Sequence, residues 1–134
     1  MKDIQNRNDI QLLVNTFYSK IRLDEVLGPI FNSTIPEDLW PAHLSKLADF
    51  WETNIFGIPK FNGNPVEAHR NLDKRMNHSI SQEHFGQWLH IWFSTLDSLF
   101  EGENTLKAKY RARNMATGQY LKIWEVRPEL ENED

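Results

Sequence analysis

The chain has 134 residues, a formal net charge of −4 and no cysteine. One domain with a core of its own is therefore expected, and disulfide frameworks, thiolate metal sites, iron–sulfur clusters and thiol nucleophiles are excluded. The opening MKDIQNRNDI is polar, no apolar run nears the length of a membrane span, and the basic residues form no stripe, so a cytoplasmic protein without nucleic-acid or membrane partners is expected.

Ile10, Leu13, Val14, Phe17 and Ile21 fall on one face of a first helix, with Asp9 as the expected cap and Gly28-Pro29 as the expected end of the segment. A second helix is predicted after Pro36, where Glu37 and Asp38 suit a first turn, and its stripe runs Trp40, His43, Leu44, Leu47, Phe50, Trp51 and Ile55. From Gly57 to Pro65 the run GIPKFNGNP reads as a loop. A short helical stretch, Val66–Leu72, precedes the polar DKRMNHSIS. Ser81, with Glu83 and His84 just after it, then marks a helix start.

The next segment has the strongest pattern in the chain: Phe85, Trp88, Leu89, Trp92, Phe93, Leu96, Leu99 and Phe100 hold helical spacing up to Gly102, which predicts a central helix. A last helix from about Asn104 carries Leu106, Ala108, Ala112, Met115, Ala116 and Ile123 and ends before Pro128. Residues 1–127 read as a single domain and 128–134 as an acidic, disordered tail. Lys107, Lys109, Arg111 and Arg113 alternate, do not share one helical face, and read as solvated surface.

With no β-alternation, the expected class is all-α. The irregular stretch from Gly57 to Ile80 sits poorly in a plain helical bundle, and a bound cofactor would organise it. Eight phenylalanines and five tryptophans suit either a core of large pieces or a pocket for a flat apolar ligand. Paired helical ligands of the HxxxH, HExxH or ExxH kind do not occur, and His43, His69, His78, His84 and His90 are spread out. That leaves room for one histidine acting with a cofactor.

FYSKIRLDEVLGPIF, from Phe17 to Phe31, resembles the FY…D…LGPIF signature of the truncated haemoglobins, especially their third group. Trp40-Pro-Ala-His43-Leu with Asp49-Phe50-Trp51 resembles that group's W…H…FW pattern, and Phe61-Asn-Gly63-Asn-Pro65 through His69-Arg70-Asn71-Leu72 its (Y/F)xGxPxxxHxxL. His84-Phe85-Gly86-Gln87-Trp88-Leu89 and Arg111-Ala112-Arg113-Asn114-Met115-Ala116 resemble its HF..WL and RAxxIA. The matches run in order from about residue 10 to 117.

The resemblance implies a truncated globin, a two-over-two helical sandwich around haem b (iron protoporphyrin IX), with His69 as the proximal ligand of the iron. It implies that Tyr18 and Trp88 donate hydrogen bonds to bound dioxygen and that His43 gates ligand access. Phe31, Leu47, Phe50 and Leu72 would line the haem pocket, and Arg70, Arg75 or His78 would meet the propionates, with Arg75 among the cofactor-binding residues. The Gly-Gly pairs of the other main groups are missing, which suits the third group and favours access through the His43 gate over an apolar tunnel.

The implied function is binding of dioxygen, carbon monoxide, nitric oxide or another small ligand, including oxygen transport in the broad sense. Two distal donors slow oxygen release, which points to a redox or gas-detoxification role such as peroxidase, nitric oxide dioxygenase or sulfide-oxidising activity, with a reductase as partner. Two other readings compete: a cofactor-free helical interaction module, and a haem-based gas sensor acting through a separate partner.

Overall fold

In the computed structural model, which describes residues 1–128, the first helix α1 (Arg7–Leu23) turns Ile10, Leu13, Val14, Phe17, Tyr18 and Ile21 inward along one face. Its cap is Asn6 rather than Asp9: the Asn6 side chain accepts from the Asp9 amide at 3.0 Å, and Asp9, one turn inside, accepts from the Gln5 amide at 2.9 Å. Asp9 thus supports the cap from within the first turn, and it also pairs with Lys2 at 2.9 Å.

Gly28-Pro29 does not end a segment. It opens a second helix, α2 (Gly28–Thr34), because a proline in the first turn has no amide that the helix needs. Gly28 is required by proximity, since a Cβ there would stand 2.7 Å from the Arg22 carbonyl oxygen. After Pro36 a single 3-10 turn, Glu37–Leu39, leads into α3 (Trp40–Phe56). The expected loop follows. Helix α4 (Pro65–Arg75) is longer at its end than the predicted Val66–Leu72, and Asn64 caps it by accepting from the Glu67 amide at 3.1 Å.

Helix α5 (Gln82–Leu99) starts at Ser81 as expected, with the His84 ring nitrogen accepting from the Ser81 amide at 2.9 Å in the place usually taken by a glutamate. The last helix is α6 (Glu103–Glu125). Its N-terminus is capped from the far end of the chain: Asp3 accepts from the amides of Asn104 and Thr105 at 2.8 and 2.9 Å and from the Thr105 hydroxyl at 2.7 Å.

The architecture is all-helical: α1 and α3 pack together on one side, α5 and α6 on the other, and α1 crosses α5 between them. The layers meet at a column of indoles. Trp51 and Trp92 stack at 4.4 Å, Trp92 and Trp88 at 5.7 Å, and Phe17 meets Trp92 edge-on at 4.9 Å. On α6 the buried face is Ala108, Ala112 and Ala116, small residues that let α5 approach closely, and the Trp92 indole donates to the Ala108 carbonyl at 3.2 Å. Helix α4 stands apart, with its principal packing on α6. No described helix is long and apolar enough to cross a membrane. Of the predicted acidic tail, 128–134, all but Pro128 lies outside the described residues.

Candidate functional site

Helix α1 carries Tyr18 next to Phe17, the ring that wedges into the tryptophan column, so the phenol is buried at the edge of the core. Around it stand Phe31 of α2 at 5.8 Å, Trp40 at 5.9 Å and His43 at 6.2 Å, both of α3. Trp88 of α5 packs on Phe17 at 5.3 Å. Burial drives the Tyr18 phenol well above its ordinary pKa, while the nearby Trp88 indole acts in the opposite sense. At neutral pH the hydroxyl therefore keeps its proton and can donate it.

His43 is half-buried, and desolvation together with the charge of Lys46 holds its imidazole below the ordinary value. It is a neutral ring against the Trp40 indole, edge-on at 5.5 Å. One and two turns further along α3, Leu47 and Phe50 continue its face, both half-buried. Phe50 also meets Phe61 edge-on at 5.0 Å, which seats the 57–64 loop on α3.

His69 lies on α4 and is separate from this cluster. Its Nδ1 stands 2.6 Å from the Pro65 carbonyl oxygen. Because a carbonyl can only accept, Nδ1 carries the proton and Nε2 presents a lone pair, the tautomer a metal ligand needs. Desolvation pulls the imidazole below its ordinary pKa, more than the bond to Pro65 raises it, so the ring is neutral at pH 7. Phe85 of α5 lies beside it at 6.0 Å.

Leu72 and Arg75 line a separate cleft between α4 and α2, of about 280 Å³, with Pro29, Ile30, Ser33, Thr34 and Met76. Arg75 donates across it to the Thr34 hydroxyl at 3.2 Å. Arg70 turns the other way, donating to the Lys122 carbonyl at 3.0 Å and pairing with Glu125 at 3.3 Å. His78 pairs with Asp73 at 3.2 Å. The three residues named for the propionates thus do not converge: Arg75 bridges the α2–α4 cleft, and the other two serve contacts within the fold.

Two buried polar atoms have no hydrogen-bond partner among the described residues, the Trp40 indole nitrogen and the Gln119 amide oxygen. Trp40 reads in sequence as one more member of an apolar stripe, and nothing in that pattern marks an orphaned donor beside His43. The sequence reading did not single out Asp73 or Arg127, which form a bidentate pair at 2.8 and 3.0 Å one turn along α4 from His69. Asp73 opens the polar run DKRMNHSIS, where its spacing of one helical turn from His69 is the signal that marks it.

No family model matches the chain. It is similar to the group 3 truncated hemoglobin ctb of Campylobacter jejuni, 32% identical over 114 residues, which span 84% of this chain and 86% of that protein. The chain belongs to the group 3 truncated haemoglobins. The crystal structure of a group III truncated hemoglobin from Campylobacter jejuni superposes on this globin with a TM-score of 0.82 at 29% identity, covering 96% of this chain and 100% of that one. The two-over-two arrangement expected from the sequence is therefore the fold of this globin.

Proposed function

We propose that this globin binds haem b between α3 and α4, with His69 as the iron's proximal ligand, and that it serves as a receptor for dioxygen and other diatomic ligands. The observation that carries this reading is the His69 tautomer: Nδ1 is committed to Pro65 at 2.6 Å, so Nε2 is the free, neutral donor atom. The donor set suits the group in other ways. Phe31, Leu47, Phe50, Leu72, Phe85 and Trp88 are large apolar side chains that the protein alone leaves half-buried, as the walls of a pocket for a flat apolar ligand would be. The orphaned Trp40 N–H is a buried donor that finds no acceptor among the described residues, and a bound group could supply one.

When bound, the haem supplies reversible coordination of a small gas. The protein supplies the rest. Tyr18 holds a proton ready to donate to the distal ligand, Trp88 offers a second N–H, and His43, neutral and half-buried, stands at the rim as the gate. Two donors to a ligand with partial negative charge slow its release, which suits redox or gas-detoxifying chemistry on peroxide, nitric oxide or sulfide better than storage. A reductase that restores ferrous iron belongs to that reading. The 1–127 segment would act as a single domain.

Titration of the apoprotein with hemin, followed by reduction and exposure to carbon monoxide, tests the proposal. A one-to-one end point with globin-type ferric, ferrous and carbon-monoxide spectra is expected. A colourless protein that takes up no hemin would leave a cofactor-free helical module as the better reading.

A further inference from the structure

Helix α4 is anchored unlike the rest of the fold. Its only fully buried residue is an aspartate, Asp73, 2% exposed. No apolar side chain on α4 reaches the core, so ordinary hydrophobic packing does little to fix where this helix stands.

The Asp73 carboxylate accepts from Arg127 Nη2 at 2.8 Å, Arg127 Nε at 3.0 Å, the Ile80 amide at 3.1 Å and His78 Nδ1 at 3.2 Å. Arg127 spends a further donor on the Ile80 carbonyl at 2.6 Å and lies over the Trp124 ring at 4.6 Å. One pair therefore ties together α4, the turn into α5 and the residues just beyond α6. Within that turn Asn77 and His78 are consecutive left-handed residues, with φ of 56° and 59°, an arrangement that persists only where surrounding contacts enforce it. Asp73 enforces it twice, through the His78 ring and through its own carbonyl, which accepts from the His78 amide at 2.7 Å.

We propose that the Asp73–Arg127 pair positions the proximal helix, holding His69 at the height and orientation it has before any ligand arrives. This rests on the reading of His69 as the haem ligand. His69 and Asp73 are one turn apart on the same face of α4, so a shift of one displaces the other. Arg70, next to His69, adds a second and more exposed tie to the end of α6 through Lys122 and Glu125. Loss of Arg127 would leave the carboxylate buried without its cation, and the nearest relief is for α4 to move until water reaches Asp73. Because none of its apolar side chains is fully buried, α4 yields before the tryptophan column does.

The test compares wild type, Arg127→Met, which keeps an apolar stem, and Arg127→Lys, which keeps one point of charge. Amide hydrogen exchange on the apoproteins is read helix by helix. On the hemin-loaded proteins, transfer of hemin to an excess of a scavenging apoprotein and the ferrous iron–histidine stretching band are measured. Arg127→Met should speed exchange in 65–81 while α1 and α5 stay as in wild type, broaden or shift the stretching band, and accelerate hemin loss about 10-fold, as for other residues that orient a metal ligand. Arg127→Lys should fall between, and it carries the comparison if Arg127→Met does not fold. Exchange that rises equally in every helix, or hemin loss and the stretching band unchanged in both variants, would overturn the proposal. If wild type takes up no hemin, the functional reading fails, and the exchange measurement alone decides whether the pair fixes α4.

Discussion

Tyr18 is a side chain whose protonation state is set by its neighbours. Its ring sits among Phe17, Phe31 and Trp40, and burial keeps the phenol protonated across the physiological range. Tyr18→Phe preserves that packing and removes only the donor. Loss of a charge-assisted hydrogen bond, about 1.5–3 kcal/mol, should speed oxygen dissociation roughly 10- to 100-fold in stopped-flow measurements, while carbon monoxide, a weaker acceptor, should change little. An unchanged oxygen off-rate would remove Tyr18 from the distal site and with it the argument for a redox role. Tyr18, Phe31, His43 and Trp88 could be singled out as candidates because they sit in contiguous motifs, and the fold packs Phe31 and His43 against Tyr18 and Trp88 against Phe17. Asp73 and Arg127 were not singled out: they lie 54 residues apart, and neither local pattern nor periodicity connects them.

Among the elements, α6 depends on a residue outside it. Asp3 fills the amide vacancies of its first turn, and Ile4 adds an acceptor for the Asn104 side chain at 2.7 Å. Burial alone would raise the Asp3 pKa, but the bonds from Asn104, Thr105 and Ile4 outweigh it and hold the carboxyl below the ordinary range. A depressed folded pKa gives stability that is present above the unfolded value, about 3.9, and is lost as pH falls through the folded value. Asp3→Asn should therefore flatten the acid limb of the stability curve. Asp3→Ala should cost about 1 kcal/mol at pH 7 in urea unfolding, as for other lost caps.

Gly102 belongs to the same junction. With φ of 142° and a would-be Cβ 2.5 Å from Asp3 Cγ, Gly102→Ala should destabilise α6 through strain and contact together, lowering the melting temperature of the apoprotein. Helical periodicity made the long helices legible, but not this docking of the first residues across 101 positions of chain. Helix α2 was missed for a different reason. It is seven residues long, and its Gly28-Pro29, which reads as a stop after α1, is a start.

Across the whole molecule the tryptophan column joins α3 to α5, and through the Ala108 bond to α6. Trp92 is fully buried. Trp92→Ala should therefore lower stability by about 3–5 kcal/mol, an effect of the cavity that denaturant midpoints would register. The aromatic-rich composition allowed both a core of large pieces and a pocket wall; the fold shows the first, and the proposed haem site would supply the second. Trp51 and Trp92 are closed off, while Phe31, Phe50 and Trp88 are left half-open. If those open faces receive haem, hemin should raise the melting temperature by mass action, more so at higher hemin concentration.

Ligation of the iron by His69 is the step on which the proposed function rests. It is tested most directly by visible absorption spectra of wild type and His69→Ala, each with one equivalent of hemin, in ferric, ferrous and carbon-monoxide-bound forms. Wild type should give globin spectra, and His69→Ala should lose or grossly alter them while its far-ultraviolet circular dichroism stays helical. Identical spectra from the two proteins would mean that another group ligates the iron, and would contradict the assignment of α4 as the proximal helix.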